Sequence, residues 1–250
     1  MRAGPRREKR AKLPIVGTLR LVARVSRRRW RFLLLLGLTI GIPIGFFDAL
    51  AGSVEEVEVD TTGELLRFMG TALGSFAIVL IAGQLLEGVI GEAALEVKAG
   101  HERPPLGRIA SRLPYGGMIL TNFVYVTGTV VGFLLLVAPG VIFFTWYAPA
   151  IALIALERDT VRATFKRSRQ LVRGSFWRVL VLTGGAYVLT AAVGDALQTF
   201  VSHELGESFP VEWASAAAGE ALLTTAAALV TVVVVLELIE LRGDPLPEPI

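Results

Sequence analysis

The stretch Met118–Leu156, MILTNFVYVTGTVVGFLLLVAPGVIFFTWYAPAIALIAL, contains no charged residue. As a single helix its 39 residues would run about 60 Å, roughly twice the hydrocarbon thickness of a bilayer. The run must therefore fold back, and the strongest breaker near its middle is Pro139-Gly140. This predicts two membrane spans, 117–137 and 141–156, joined by a tight turn at Pro139-Gly140. Pro149 is expected to kink the second arm.

Outward from this hairpin the chain keeps the same character. Apolar runs at 32–50, 65–88, 177–200 and 214–238 are each long enough to cross a bilayer. Hydrophobic residues make up 53 % of the chain without counting glycine. A soluble domain holds about 45–50 % with glycine included. The expected fold is all-α, a polytopic transmembrane bundle of about six spans (membrane domain 32–241). The helix of the second span is expected to continue to Lys98. Pro43 is expected to kink the first span. Gly37, Gly41 and Gly45 form two overlapping GxxxG patterns, and Gly70 and Gly74 a third, which suits close helix packing.

Charge sets the orientation. Residues 1–31 hold twelve Lys or Arg and one acid, Glu8. Within them Ile15, Val16, Leu19, Val22, Ala23, Ser26 and Trp30 recur at helical steps, with Arg20, Arg24, Arg27, Arg28 and Arg31 on the other face. That pattern describes a basic amphipathic helix in the headgroup layer, or else a solvated basic tail that only fixes orientation. The loops 98–112 and 158–178 are basic, whereas 52–64 and 201–213 carry acids and no Lys or Arg. The positive-inside rule then puts both termini, including the short tail 242–250, in the cytoplasm of a cell inner membrane. Trp30 and Trp177 fall at inner edges and Trp213 at an outer one, while Trp146 is expected to pack deeper. A cleaved signal peptide competes with the first span, because Ala49-Leu50-Ala51 resembles a small-x-small site. The apolar stretch is longer than the about 7–15 residues of such a signal.

Asp159 is a candidate cap for a second basic helix starting at Thr160. Its Arg162, Lys166, Arg169 and Arg173 recur at steps of three or four and share one flank. Val161, Phe165 and Val172 share another. These four basic residues either bind anionic lipid or serve orientation alone.

The segment Val131–Arg178 contains Pro139, Gly140, Trp146, Glu157, Ala163, Arg167, Ser168, Leu171, Gly174, Phe176 and Trp177. In this order they resemble the membrane-domain family named for bacterial glycerophosphoryl diester phosphodiesterases, and related six-span inner-membrane proteins. Arg162 stands where that pattern usually has an acid. The resemblance implies a membrane module without the soluble catalytic barrel, and a structural role for these residues. Glu157 is expected to pair with an arginine of the adjacent loop.

Chemistry is sparse. With no cysteine and only His101 and His203, thiol catalysis, Cys-ligated metals and His-rich sites are excluded, and no cofactor is expected. No nucleophile–base arrangement or P-loop occurs. The basic charge abuts apolar runs, which points to lipid and not nucleic acid. Asp48 and Asp195 lie near outer span ends and Glu220 about 10 Å inward of Trp213. They either meet in an outer polar vestibule or simply reach headgroup water. Three classes follow: an accessory module that binds anionic lipid, a protein partner or a second copy; a transporter or lipid-handling protein with a path lined by Asp48, Asp195, Glu220, Gln84 and Asn122; and, least supported, a membrane enzyme.

Overall fold

The computed structural model of the chain describes residues 13–55, 63, 86–95, 97–98, 109, 111–206 and 208–247, the side chains of 47–55 and of 223 excepted. Every regular element among them is helical. The helices are α1 (Ile15–Glu55), α2 (Tyr115–Leu135), α3 (Val137–Glu157), α4 (Val161–Val172), α5 (Phe176–Val179), α6 (Gly185–Leu205) and α7 (Phe209–Leu241). One π-helical turn, Leu180–Gly184, joins α5 to α6. Residues 86–95 and 97–98 are also helical. Five segments are long and apolar enough to cross a membrane: Ile15–Phe46, α2, α3, Phe176–Leu205 and α7. The chain is a multi-pass α-helical membrane protein. The expected span 65–88 lies outside the described residues except for 86–88, as does Gly70–Gly74.

Helix α1 is two helices in series. Arg29 alone leaves helical dihedrals (φ −126°, ψ 22°), a break the sequence does not announce, and Pro43 sits inside the helix. Before the break the buried positions of the helix are Thr18, Leu21 and Val25; after it they are Leu33, Gly37, Ile40, Gly41, Ile44 and Gly45. An unbroken helix would present these two stripes on different sides. The N-terminal stretch has three sectors and not the two expected. Thr18, Leu21 and Val25 pack on the bundle, Ile15, Val16 and Leu19 are exposed and apolar, and Arg20, Arg24, Arg27 and Arg28 are exposed and basic.

The hairpin exists, but its turn is displaced. The chain leaves the helix at Leu136 (φ −168°, ψ 148°), and Pro139-Gly140 lies in the first turn of α3. A proline ring clashes with the carbonyl four residues earlier, and for Pro139 that carbonyl belongs to Leu135, the last residue of α2. In a helix's first turn the missing N–H costs nothing, since no intrahelical acceptor exists there. Proline thus ends one helix at a distance and starts the next. Gly140 is buried, and a Cβ on Gly132 would lie 2.8 Å from its Cα, so the two arms touch backbone to backbone. Pro149 lies inside α3.

The central element is α7. Val232, Val233, Val234, Val235 and Leu236 are all fully buried, so neighbours cover this stretch on every side. Its N-terminal half packs antiparallel on α1 through small residues. Gly37 faces Ala221 and Thr225, Gly41 faces Ala217 and Ala221, and Gly45 faces Ala217. Beyond the glycines, the Trp213 indole donates to the Ile42 carbonyl (3.0 Å), and Phe46 meets Phe209 and Trp213 edge-on at 5.7 and 6.0 Å. Helix α6, in contrast, has no buried residue.

A Cβ on Gly41 would lie 2.5 Å from the Ala217 carbonyl oxygen and 2.8 Å from the Ala221 nitrogen, both backbone atoms. Gly41→Ala is expected to destabilise the protein by about 1–3 kcal/mol through overpacking. At exposed Gly185 nothing lies within 4 Å of a new Cβ, and Gly185→Ala should gain up to about 1 kcal/mol of helix propensity. Equilibrium unfolding in mixed detergent micelles measures both, and equal effects would contradict the packing account.

Candidate functional site: a charged clasp and a polar stripe

Helix α3 stops at Arg158, whose left-handed backbone (φ 54°) lets its N–H reach the Ile154 carbonyl at 3.2 Å. The chain then reverses. The cap of α4 is Thr160, which accepts from the Ala163 N–H (3.4 Å), and not Asp159. A β-branched Thr in extended conformation aims its hydroxyl at the third residue of the new helix as an N-cap requires. Helix α4 then runs back along α3. Phe165 packs edge-on against Tyr147 at 4.9 Å, and Ser168 donates to the Trp146 carbonyl at 2.7 Å. With α4 in place, every residue from Ala148 to Ile154 on α3 is buried.

Three of the motif positions meet around this return, and Trp146 is a fourth. Arg167 donates to Glu157 (3.4 Å) and to Asp244 (2.7 Å), tying α4 to the ends of α3 and α7. Burial pulls its guanidinium down, but the hydrogen bond to Asp244 and the charge of Glu157 outweigh that and hold it above the ordinary arginine value. The Glu157–arginine pairing expected from sequence is therefore with Arg167. Trp146 is half-buried, and the Arg169 guanidinium lies 4.4 Å above its ring. Arg242 donates to the carbonyls of Gln170, Leu171 (3.4 Å) and Arg173 (2.7 Å), which α4 leaves without intrahelical donors. Gly174 then takes φ +100°, a conformation that suits glycine.

The same end of the bundle gathers further pairs. Arg158 reaches the buried Glu92 (3.7 Å), Lys98 pairs with Glu240 (2.5 Å), and Arg178 donates to the Leu13 carbonyl (2.5 Å). The N-terminal helix and the residues after α7 thus lie at one end. Leu171 and Val172 are buried there, Ala163 and Phe176 are partly buried, and Trp177 is 74 % exposed. Pro139 and Gly140 are at the other end of α3, about 25 Å from Glu157 along the axis, and take no part.

The proposed lipid-facing residues sort differently from one another. Arg162, Lys166, Arg169 and Arg173 are all exposed. Arg169 is engaged by Trp146. Among the described residues no ion pair holds Arg162, Lys166 or Arg173. Val172 packs in the core and Phe165 against Tyr147, so that apolar flank faces the bundle. The expected outer vestibule of Asp48, Asp195 and Glu220 falls partly outside the described residues. Asp195 is exposed on α6, Glu220 on α7 accepts from Thr224 (2.5 Å), and the Asp48 side chain lies outside the description, as does Gln84.

One polar group escaped the sequence reading. Glu87 is only 6 % exposed, and its Oε2 is buried without a hydrogen-bond partner. On α2, Thr121, Asn122 and Tyr125 are buried, while Leu120, Phe123, Val124 and Val130 are exposed. This helix turns its polar side inward and its apolar side outward. The spacing Thr121, Asn122, Tyr125, Thr129 is the signal that marks the stripe. Among the described residues no three His, Asp or Glu side chains come together as metal ligands would. No protein-family profile, curated protein or solved structure matches the chain.

If the clasp holds α4 in place, Arg167 and Asp244 should be energetically coupled. A double-mutant cycle with Arg167→Ala and Asp244→Ala is expected to give about 0.5–1 kcal/mol, since the pair is partly exposed. The same cycle with Arg162→Ala in place of Arg167→Ala should give none.

Proposed function

We propose that the protein is a six-span inner-membrane module with both termini cytoplasmic, and that its basic end binds anionic lipid headgroups. One observation carries this reading. Lys98, Arg158, Arg167, Arg169, Arg178 and Arg242 are engaged by carboxylates, carbonyls or an aromatic ring, but Arg162, Lys166 and Arg173 stay exposed on α4 without such partners among the described residues. The exposed basic sector of α1 lies at the same end, next to an exposed apolar sector, as expected of a helix lying in the headgroup layer. Each such charge near an anionic surface contributes about 1 kcal/mol. The resemblance of Val131–Arg178 to the phosphodiesterase membrane domains fits an accessory module without its own barrel. The convergence of Trp146, Glu157, Arg167 and Ser168 supports it. A transporter is the second reading, favoured by the inward polar stripe of α2.

Orientation has its own test. Single cysteines at Arg10, Pro105, Gln170 and Leu246 should label only from the cytoplasm, and those at Glu58 and Glu207 only from outside. External labelling at the exposed Gln170 would exclude the six-span arrangement.

For lipid binding, Arg162, Lys166 and Arg173 are changed together to Gln, with the arginines of α1 kept so that orientation survives. The variant should retain several-fold less cardiolipin or phosphatidylglycerol after purification, with the difference shrinking at high salt. Unchanged retention in a correctly oriented variant would leave these residues as orientation signals only.

A further inference from the structure

Buried hydroxyls in this bundle are as a rule satisfied locally. Thr18, Thr145, Thr164, Thr183, Thr225 and Thr231 each donate to the carbonyl four residues earlier, at 2.6–3.1 Å. Thr121 and Thr129 break the rule. Their hydroxyls are buried with no partner, and both belong to the inward stripe of α2. The third orphan oxygen of the interior is Oε2 of Glu87.

These orphans share a neighbourhood. Residues 86–95 pack on α2 at Gly88, where a Cβ would lie 2.9 Å from Met118 Cε. Thr121, Asn122 and Tyr125 follow Met118 on the same face at one-turn steps. Tyr125 and, from α6, Tyr187 both lie within electrostatic reach of Glu87. Phe144 of α3 stands between the two phenols, with ring centroids 6.2 and 5.8 Å away. Tyr125 and Tyr187 are each about 15 Å along their helices from Tyr115 and Trp177, well inside the apolar segments.

An ionised carboxylate left alone in such a setting costs several kcal/mol. Among the described residues no cationic side chain pairs with Glu87, and its Oε2 has no hydrogen-bond partner. Tyr125 from α2 is buried, whereas Tyr187 from α6 is 41 % exposed. Glu92, further along its own segment, pairs with Arg158, and Arg169 is held on the Trp146 ring beyond Phe144. A group of this kind is stable when a positive charge joins it. The surrounding donors are all hard oxygens or an amide, which suit a proton or an alkali ion and not a soft metal. We propose that Glu87, with Thr121, Asn122 and Tyr125, forms a monovalent-cation site inside the bundle.

The test uses the full chain in phosphatidylcholine nanodiscs, where no anionic lipid contributes. Dicyclohexylcarbodiimide, an apolar reagent for protonated carboxyls, is added, and the adduct at Glu87 is located by peptide mass spectrometry. The labelling rate should fall as pH rises, by about tenfold per unit once the proton is lost. Choline chloride replaced by sodium chloride at constant ionic strength separates the two occupants. Sodium at ten times its Kd should slow labelling about tenfold if an alkali ion binds. A rate that depends on pH but not on sodium assigns the site to the proton. A rate indifferent to both, or no adduct at Glu87, overturns the proposal.

Discussion

Helices in hydrocarbon gain little from hiding apolar side chains, because lipid is as apolar as leucine. What holds them is close approach, and among the described residues the glycine face of α1 comes directly against the backbone of α7. Gly37, Gly41 and Gly45 leave no side chain between the two backbones, so Ala217, Ala221 and Thr225 lie directly against them. The Thr225 hydroxyl is turned back to its own Ala221 carbonyl, which keeps a polar group from disturbing the contact. Both ends of this pair are then finished by specific contacts. Trp213 fastens the far end to Ile42, and residues just beyond α7 hold α4 at the near end. The placement of the clasp depends on the position of Arg242 and Asp244, and that position is set by α7.

Hydropathy identified the helices well, since length and absence of charge are local properties of the chain. The hairpin was legible for the same reason. The turn itself was misplaced by three residues because proline acts on a carbonyl four positions upstream, so the helix ends before the proline is reached. The three-sector character of the N-terminal stretch was hidden. Thr18, Leu21 and Val25 look unremarkable in a helical wheel until a bundle lies against them. The Glu157–arginine pair was expected, but its partner Asp244 lies 77 residues from Arg167 and no local pattern could indicate it. Glu87 was overlooked because an acid near the expected end of a span reads as a boundary marker. Glu92 is equally buried, and what separates the two is that Glu92 has an arginine at hand.

The basic residues show why a charge count is a blunt instrument. Arginines of one loop do quite different things. Arg167 ties three helices, Arg169 covers a tryptophan, and Arg242, just beyond α7, closes the carbonyl end of α4. A helix of 12 residues is marginal by itself in water. Held at its start by Thr160, in its middle by Ser168 and Arg167, and at its end by Arg242, α4 becomes a fixed part of the bundle. Its remaining charges therefore stand in a defined array.

The contact between α1 and α7 also constrains biosynthesis. Helix α1 leaves the ribosome first, yet its glycine face has no partner until residues near Ala217–Thr225 are inserted. At about 5–20 residues per second that interval lasts on the order of ten seconds or more. During it the bare backbone strip on α1 faces lipid, the insertion machinery or some other small-residue helix. The bundle is thus closed by one of its latest segments, and a chain arrested before α7 would carry an unmatched adhesive surface in the membrane.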